Sequence, residues 1–268
     1  MDLSNIKMVV SDMDGTLLNS RHEVSDRFFS LFRALQEKDI LFVAASGRQY
    51  GSMAAKLDAI KDDIIIIAEN GAYVKRRNEV LLTTPMDMKD VDTILKITKD
   101  TKGAHAAICT QDRAYVNGSS KDFINLLKEY YSNFDVIQDR GSISGEVLKI
   151  AIYHFESSEQ YVYPAVRHLD GSLKIKVSGP NWVDVSHNHA HKGFALGKVM
   201  HAYNLSADQV MVFGDYNNDL EMMQLSDYSF AMANAHSNIL KAAKYRTSSN
   251  DNHGVERILE KLLTAKIG

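Results

Sequence analysis

The sequence predicts an α/β fold: a doubly wound parallel sheet interrupted by an inserted α+β domain. Three observations carry this. Short, nearly continuous apolar runs at residues 6–11, 40–45, 64–68 and 210–213 alternate with helical patterns. Strands buried on both faces of a parallel sheet read this way. Each run ends in a polar or glycine-bearing cluster, and between about residues 83 and 187 the regular alternation lapses before it resumes.

The elements follow in order. Residues 6–11 are the first strand. Residues 25–38 read as an amphipathic helix, with Phe28, Phe29, Leu31, Phe32 and Leu35 at helical spacing and Ser25 as N-cap. Residues 40–45 are a strand ending in Ser46-Gly47-Arg48, 53–60 look helical, and 64–68 are a strand ending in Glu69-Asn70-Gly71. A hairpin over 73–82 turns at Arg76-Arg77-Asn78. The middle region holds helices at 91–98 and 122–131 and half-buried strands at 114–116, 147–154, 173–177 and 182–185. The parallel pattern returns with a helix over 192–203 and the strand 210–213, which ends in Gly214-Asp215-Tyr216-Asn217-Asn218-Asp219. A helix starting over 220–225, a short strand 229–232 and an amphipathic helix 255–263 close the pattern. The expected domains are 1–82 and 188–268 for the core and 83–187 for the insert.

Composition narrows the function class. The chain has 268 residues, 45% hydrophobic and 24% charged, as in an ordinary globular protein. Lys and Arg number 31 against 34 Asp and Glu, a net charge of −3, which is no electrostatic footprint for nucleic acid or an anionic membrane. A phosphate-bearing ligand must be held by local positive charge. Cys109 is the sole cysteine, so no intrachain disulfide forms, and the start lacks a signal-peptide pattern. The densest apolar stretch, 64–68, is far too short to span a bilayer. A cytoplasmic protein with no nucleic-acid or membrane partner is expected; monomer and homo-oligomer both stay open.

Asp12 and Asp14 carry the sharpest signal. They lie two positions apart at the end of a buried strand, in Asp12-Met13-Asp14-Gly15-Thr16. Residues i and i+2 of a strand share a face, so both can converge on one ligand. Burying two carboxylates is costly unless they meet a cation or do chemistry. An Asp-Gly turn is the plain alternative. A calcium loop fails because its required glycine would fall at Leu17. The second cluster, at 214–219, also follows an apolar strand; helix capping accounts for one of its polar residues but not for four. Ligands of open parallel sheets bind beyond the carboxyl ends of the strands, so the two clusters can meet. Up to four negative charges, Asp12, Asp14, Asp215 and Asp219, then call for a hard divalent cation, and an all-oxygen set points to Mg²⁺.

Ser46-Gly47-Arg48 is a turn that can also present a hydroxyl and backbone N–H groups to an oxyanion. Lys192 opens a helix, where the dipole disfavours a cation, and this local conflict hints at a role in neutralising phosphate. His187, His189 and His191 could ligate a transition metal, but they read better as a polar segment near the site. Nucleotide-binding glycine loops and a serine-nucleophile elbow are absent from the sequence.

With these pieces in this order, the chain resembles the haloacid dehalogenase (HAD) superfamily, and within it the Cof-type, subfamily IIB sugar phosphatases. Motif one is Asp12-Met13-Asp14-Gly15-Thr16, motif two Ser46-Gly47-Arg48, motif three Lys192-Gly193 and motif four Gly214-Asp215 with Asn218-Asp219. Glu69-Asn70-Gly71-Ala72 and Ala231-Met232-Ala233-Asn234-Ala235 look like subfamily landmarks. The resemblance implies a HAD core with a C2-type cap and Mg²⁺-dependent hydrolysis of a small phosphomonoester, a sugar phosphate, through an aspartyl-phosphate. It implies Asp12 as nucleophile and Asp14 as general acid and then base. Asp12, the Asp14 carbonyl and Asp215 would hold Mg²⁺, with Asp219 ligating or supporting it. Ser46, Gly47, Arg48, Lys192 and Asn218 would bind phosphate. The chain departs from the pattern at His189, where the family usually has glycine three residues before the Lys. Asn181, Trp182 and Asp184 are candidate contributors to specificity, with core packing the equal alternative for Trp182. A phosphotransferase or mutase on the same scaffold, or a non-catalytic phosphate-ligand regulator, are the competing readings.

Overall fold

A computed structural model describes residues 2–118, 120–131 and 133–266. The chain divides into two units, one running to Leu82 and resuming at His191, the other Thr83–Ala190.

The first unit opens with β1 (Met8–Asp12), buried at all five positions, followed by α1 (Asp26–Gln36). The Ser25 side chain caps α1 by accepting from the Phe28 N–H. Phe28, Phe32 and Leu35 form the buried stripe, and Phe28 lies 5.0 Å from the Phe42 ring on the sheet. Burying each such side chain stabilises by about 1.5–3 kcal/mol. Then come β2 (Leu41–Ala45), α2 (Tyr50–Lys56), β3 (Ile65–Ala68), β4 (Tyr73–Arg76) and β5 (Glu79–Thr83). Helix α2 starts earlier than its sequence pattern suggests, because Leu57 and Ile60 are buried in turns that follow it rather than on its face.

The second unit contains α3 (Met88–Asp100), β6 (Ala104–Cys109), β7 (Ala114–Asn117), α4 (Lys121–Tyr130), β8 (Phe134–Ile137), β9 (Lys149–His154), α5 (Ser158–Tyr161), α6 (Tyr163–Val166), β10 (Leu173–Gly179) and β11 (Trp182–His187). Its six-stranded sheet has the order β10-β11-β9-β6-β7-β8. Val91 and Ile94 of α3 and Val166 of α6 pack on one face, against Ile108, Ile150, Ile152 and Val185. Phe123 and Leu127 of α4 cover the other face, against Ala107, Cys109 and Ala151.

The chain then completes the first unit with α7 (Lys192–Ala202), β12 (Val210–Gly214), α8 (Leu220–Met223), β13 (Tyr228–Ala231), α9 (Ser237–Ala242), β14 (Tyr245–Arg246) and α10 (Gly254–Ala265). The sheet order is β14-β13-β12-β1-β2-β3-β4-β5. From β14 to β3 all pairs are parallel; β4 runs antiparallel to β3. Ala195, Leu196 and Val199 of α7 and Met222 and Met223 of α8 seal the face formed by Met8, Val10, Val43, Ile65 and Val212. Strand β1 sits between β2 and β12, with Asp12 opposite Ala45 and Ser11 opposite Phe213. Parallel pairing places the carboxyl ends of β1, β2, β3 and β12 along one edge, where the polar clusters that follow those strands are brought together. Among the described residues no helix is long and apolar enough to cross a membrane.

Candidate active site

Lys192 is the centre of this edge. It is the first residue of α7 and is completely buried. Its ammonium donates to Asp12 Oδ1 at the end of β1 and to Asp219 Oδ1 at 2.7 Å. The other oxygen of Asp219 accepts from the N–H groups of Asp215 (3.0 Å) and Tyr216 (3.1 Å). Asp219 is thereby a clamp: it anchors the ammonium with one oxygen and shapes the turn after β12 with the other. His191 caps α7, its Nδ1 accepting from the Phe194 N–H at 3.2 Å.

Asp215 joins the cluster through the loop after β1. Gly15 has a left-handed φ of +78°, and a Cβ there would lie 2.3 Å from Asp215 Oδ2. Glycine is what lets this loop touch the carboxylate. Thr16 Oγ1 donates to Asp215 Oδ1 (3.1 Å), and Asn234 Nδ2 holds the Gly15 carbonyl (2.8 Å).

The charges are unequal. Burial by itself acts to lower the Lys192 ammonium, but Asp12 and Asp219 outweigh it and raise the ammonium above its usual range. Burial, Asp219 and Asp215 together push the Asp12 carboxyl well up, against the pull of Lys192. Asp215 is pushed up to about 6, chiefly by burial and then by Asp219. One ammonium serves three carboxylates. Asp12, Asp215 and Asp219 each offer an oxygen within 4.8 Å of the others. An oxygen-only set short of positive charge fits a hard divalent cation such as Mg²⁺.

Asp14 lies apart from that triad. Its carboxylate takes a two-pronged pair from Arg48, Nε to Oδ2 at 2.7 Å and NH2 to Oδ1 at 2.6 Å, with His22 Nδ1 at 3.3 Å from Oδ1. Burial acts to raise the Asp14 carboxyl, but Arg48 and His22 hold it below its usual value. Arg48, expected at the phosphate, is therefore engaged with Asp14 in this structure, because a guanidinium fork matches a carboxylate better than a turn exit to solvent. Ser46 is buried at the end of β2, its hydroxyl accepting from the Arg48 N–H at 3.1 Å. Asn218 Nδ2 donates to Asn70 Oδ1 at 3.1 Å. Thus Asp12, Lys192, Asp215 and Asp219 converge directly. Ser46, Gly47 and Asn218 gather around Asn70, while Asp14 and Arg48 form a separate pair.

In the second unit, Asn181 Nδ2 ties the carbonyls of His154 and Phe155. Trp182 packs 4.8 Å from the Tyr153 ring, and Asp184 lies 3.6 Å from Lys149. For Trp182 these contacts are those of core packing. His187 Nδ1 accepts from the His189 N–H at 3.0 Å. Thr16, His22 and Asn234 have no role assigned from the sequence, although Thr16 lies in motif one and Asn234 in the Ala231–Ala235 landmark.

A family model described as haloacid dehalogenase-like hydrolase matches residues 9–259. The chain is 27% identical over 262 residues to the 5-amino-6-(5-phospho-D-ribitylamino)uracil phosphatase YbjI of Escherichia coli (strain K12), covering 97% of each chain. It superposes on SMU.1108c of Streptococcus mutans UA159 with a TM-score of 0.84 and 28% identity, over 97% of this chain and 99% of that one. The HAD subclass IIB sugar phosphatase BT4131 shares the fold, with a TM-score of 0.78 and 20% identity over 95% and 98% of the two chains. The matched span contains every residue of the buried charge cluster, and on that footing the chain belongs to the haloacid dehalogenase-like hydrolase family and is a phosphatase.

Proposed function

We propose that this phosphatase hydrolyses a small phosphomonoester whose phosphate sits on a sugar or sugar-alcohol carbon, by way of an aspartyl-phosphate on Asp12. The observation that carries the reading is the buried Lys192 ammonium shared by Asp12 and Asp219, beside Asp215. Asp12 is at a strand end with its carboxylate fixed by Lys192, the arrangement of a positioned nucleophile. Its attack on phosphorus forms the Asp12–phosphate bond and breaks the bond to the leaving oxygen. Asp14 supplies the proton to that oxygen, then accepts one from the water that hydrolyses the acyl-phosphate. To do so it leaves the Arg48 pair that keeps it ionised here. Ser46, the Gly47 N–H, Lys192 and Asn218 bind the phosphate oxygens. Asp12, Asp215 and the Asp14 carbonyl, with Asp219 in support, would hold Mg²⁺, which would supply charge neutralisation for phosphoryl transfer. The E. coli relative is named for a phospho-D-ribityl substrate, which supports a polyol or sugar phosphate for this chain.

The test is phosphate release from a panel of sugar, sugar-alcohol and nucleotide phosphates, with and without Mg²⁺, for the parent and Asp12→Asn. Release should depend on Mg²⁺, favour the sugar and polyol esters, and fall at least about a thousandfold in Asp12→Asn. Undiminished release in the variant refutes the nucleophile. An isomeric sugar phosphate appearing in place of free phosphate refutes hydrolysis in favour of phosphoryl transfer to a sugar hydroxyl.

A further inference from the structure

The Glu69-Asn70-Gly71 turn has no part in the chemistry above, yet it is the most unusual backbone at this edge. All three residues are left-handed in succession, with φ of 50°, 54° and 104°. Only Gly71 is free of a side-chain penalty there. The backbone of the turn is stitched to the loop after β2: the Glu69 N–H donates to the Arg48 carbonyl and the Asn70 N–H to the Ser46 carbonyl, each at 2.9 Å. The Asn70 side chain faces the same loop and the loop after β12. A Cβ on Gly47 would stand 3.0–3.3 Å from the Asn70 amide atoms, so the Asn70 amide lies flat against Gly47. Its oxygen accepts from Asn218 Nδ2 at 3.1 Å. One strained residue therefore touches two of the loops that the proposed function assigns to phosphate, loops 148 residues apart in the case of Asn218.

We infer that Asn70 is a positioning residue, which holds the Asn218 amide and the Gly47 loop at the spacing a phosphate requires and acts on catalysis through Asn218. This rests on the reading of Asn218 as a phosphate ligand. The amide oxygen of Asn70 accepts one Nδ2 hydrogen of Asn218, which restricts rotation of that amide and leaves its second Nδ2 hydrogen for another acceptor. Without that acceptor, Asn218 is free to rotate, and the order it supplies to the phosphate pocket is lost.

The clean variant is Asn70→Gly, because glycine keeps the left-handed backbone without strain and removes only the amide. Phosphate release from p-nitrophenyl phosphate with Mg²⁺ is measured for the parent, Asn70→Gly, Asn218→Ala and the double variant. Asn70→Gly should lose about tenfold in kcat/KM, the worth of one hydrogen bond of roughly 1.4 kcal/mol. The double variant should match Asn218→Ala within about twofold, since the effect of Asn70 passes through Asn218. A full further tenfold loss in the double variant, or an unimpaired Asn70→Gly, overturns the inference. If Asn70→Gly does not fold, Asn70→Asp replaces it. Aspartate keeps the acceptor and tolerates the left-handed backbone, so kcat/KM should stay within about threefold of the parent. An Asn70→Asp enzyme as impaired as Asn218→Ala overturns it equally. Asp12→Asn, run alongside, separates the two readings: if that variant stays active the phosphatase mechanism itself fails, whatever Asn70 does.

Discussion

At the residue scale the site is governed by one buried cation facing too many anions. Taking Lys192 away leaves Asp12 and Asp219 buried with no counter-charge. Lys192→Met should lower stability by about 3–5 kcal/mol, visible as a reduced urea midpoint, and should cut phosphate release at least about a hundredfold. An unchanged midpoint would show that the aspartates are neutralised by something other than Lys192. The individual residues differ in how far the sequence reveals them. Asp12 and Asp215 are legible because each is a carboxylate where an apolar strand ends, Asp219 because it completes the second polar cluster, and Lys192 because it is a cation at a helix start. The Arg48–Asp14 pair is not legible, since a guanidinium on an exposed turn has many reachable partners and only the folded geometry selects among them. Asn181, a candidate for specificity from its position, has a structural partner set that the sequence does not reveal. Its Nδ2 donates to the backbone carbonyls of His154 and Phe155 at the end of β9.

At the element scale, strand ends and helix starts have to approach one another closely. Gly71 shows the tolerance best. Its φ is +104°, and a Cβ would fall 2.5 Å from the His191 carbonyl oxygen, a backbone atom immediately before Lys192. Gly71→Ala should therefore destabilise by more than about 2 kcal/mol in chemical denaturation and displace the start of α7, with activity falling alongside stability. A variant of parental stability would mean that α7 can shift without cost. The parallel strands were readable as elements because Ile, Val, Phe and Met fill them with little interruption. Strand β6 was not, since Ala104-His105-Ala106-Ala107 has neither the bulk nor the branching that marks a strand; its pairing with β9 and β7 sets its conformation. The four-residue helices α5 and α6 are below the length at which periodicity can be recognised.

At the scale of the whole molecule, the charge deficit makes stability depend on pH and, on the proposed function, on Mg²⁺. Asp215 titrates near 6 in the folded protein, above its ordinary value of 3.8. Between those values the folded state keeps a proton that the unfolded state has released, so this group's contribution falls as pH rises through the window. A divalent cation held by these carboxylates would displace that proton. Mg²⁺ at a hundred times its dissociation constant should stabilise the fold by about 2.7 kcal/mol, and it should raise the melting temperature more at about pH 7.5 than at about pH 5, where protons compete for the site. Amide exchange should slow around residues 12–16 and 214–219 and stay unchanged in β6 and β9, which belong to the other unit. Equal gains at both pH values would count against carboxylate-bound Mg²⁺.

The placement of β1 between β2 and β12 also bears on how the protein comes into being. Thr16 and its partner Asp215 are 199 residues apart, and a ribosome adding about 5–20 residues per second separates their emergence by roughly 10–40 s. For that interval the innermost strand has one edge unpaired and its aspartate no counter-ion. Until then neither Lys192 nor Asp215 exists, so the buried charge cluster cannot assemble. The same delay leaves an apolar strand edge open to misassociation during synthesis, a hazard that ends only when β12 slots in beside β1.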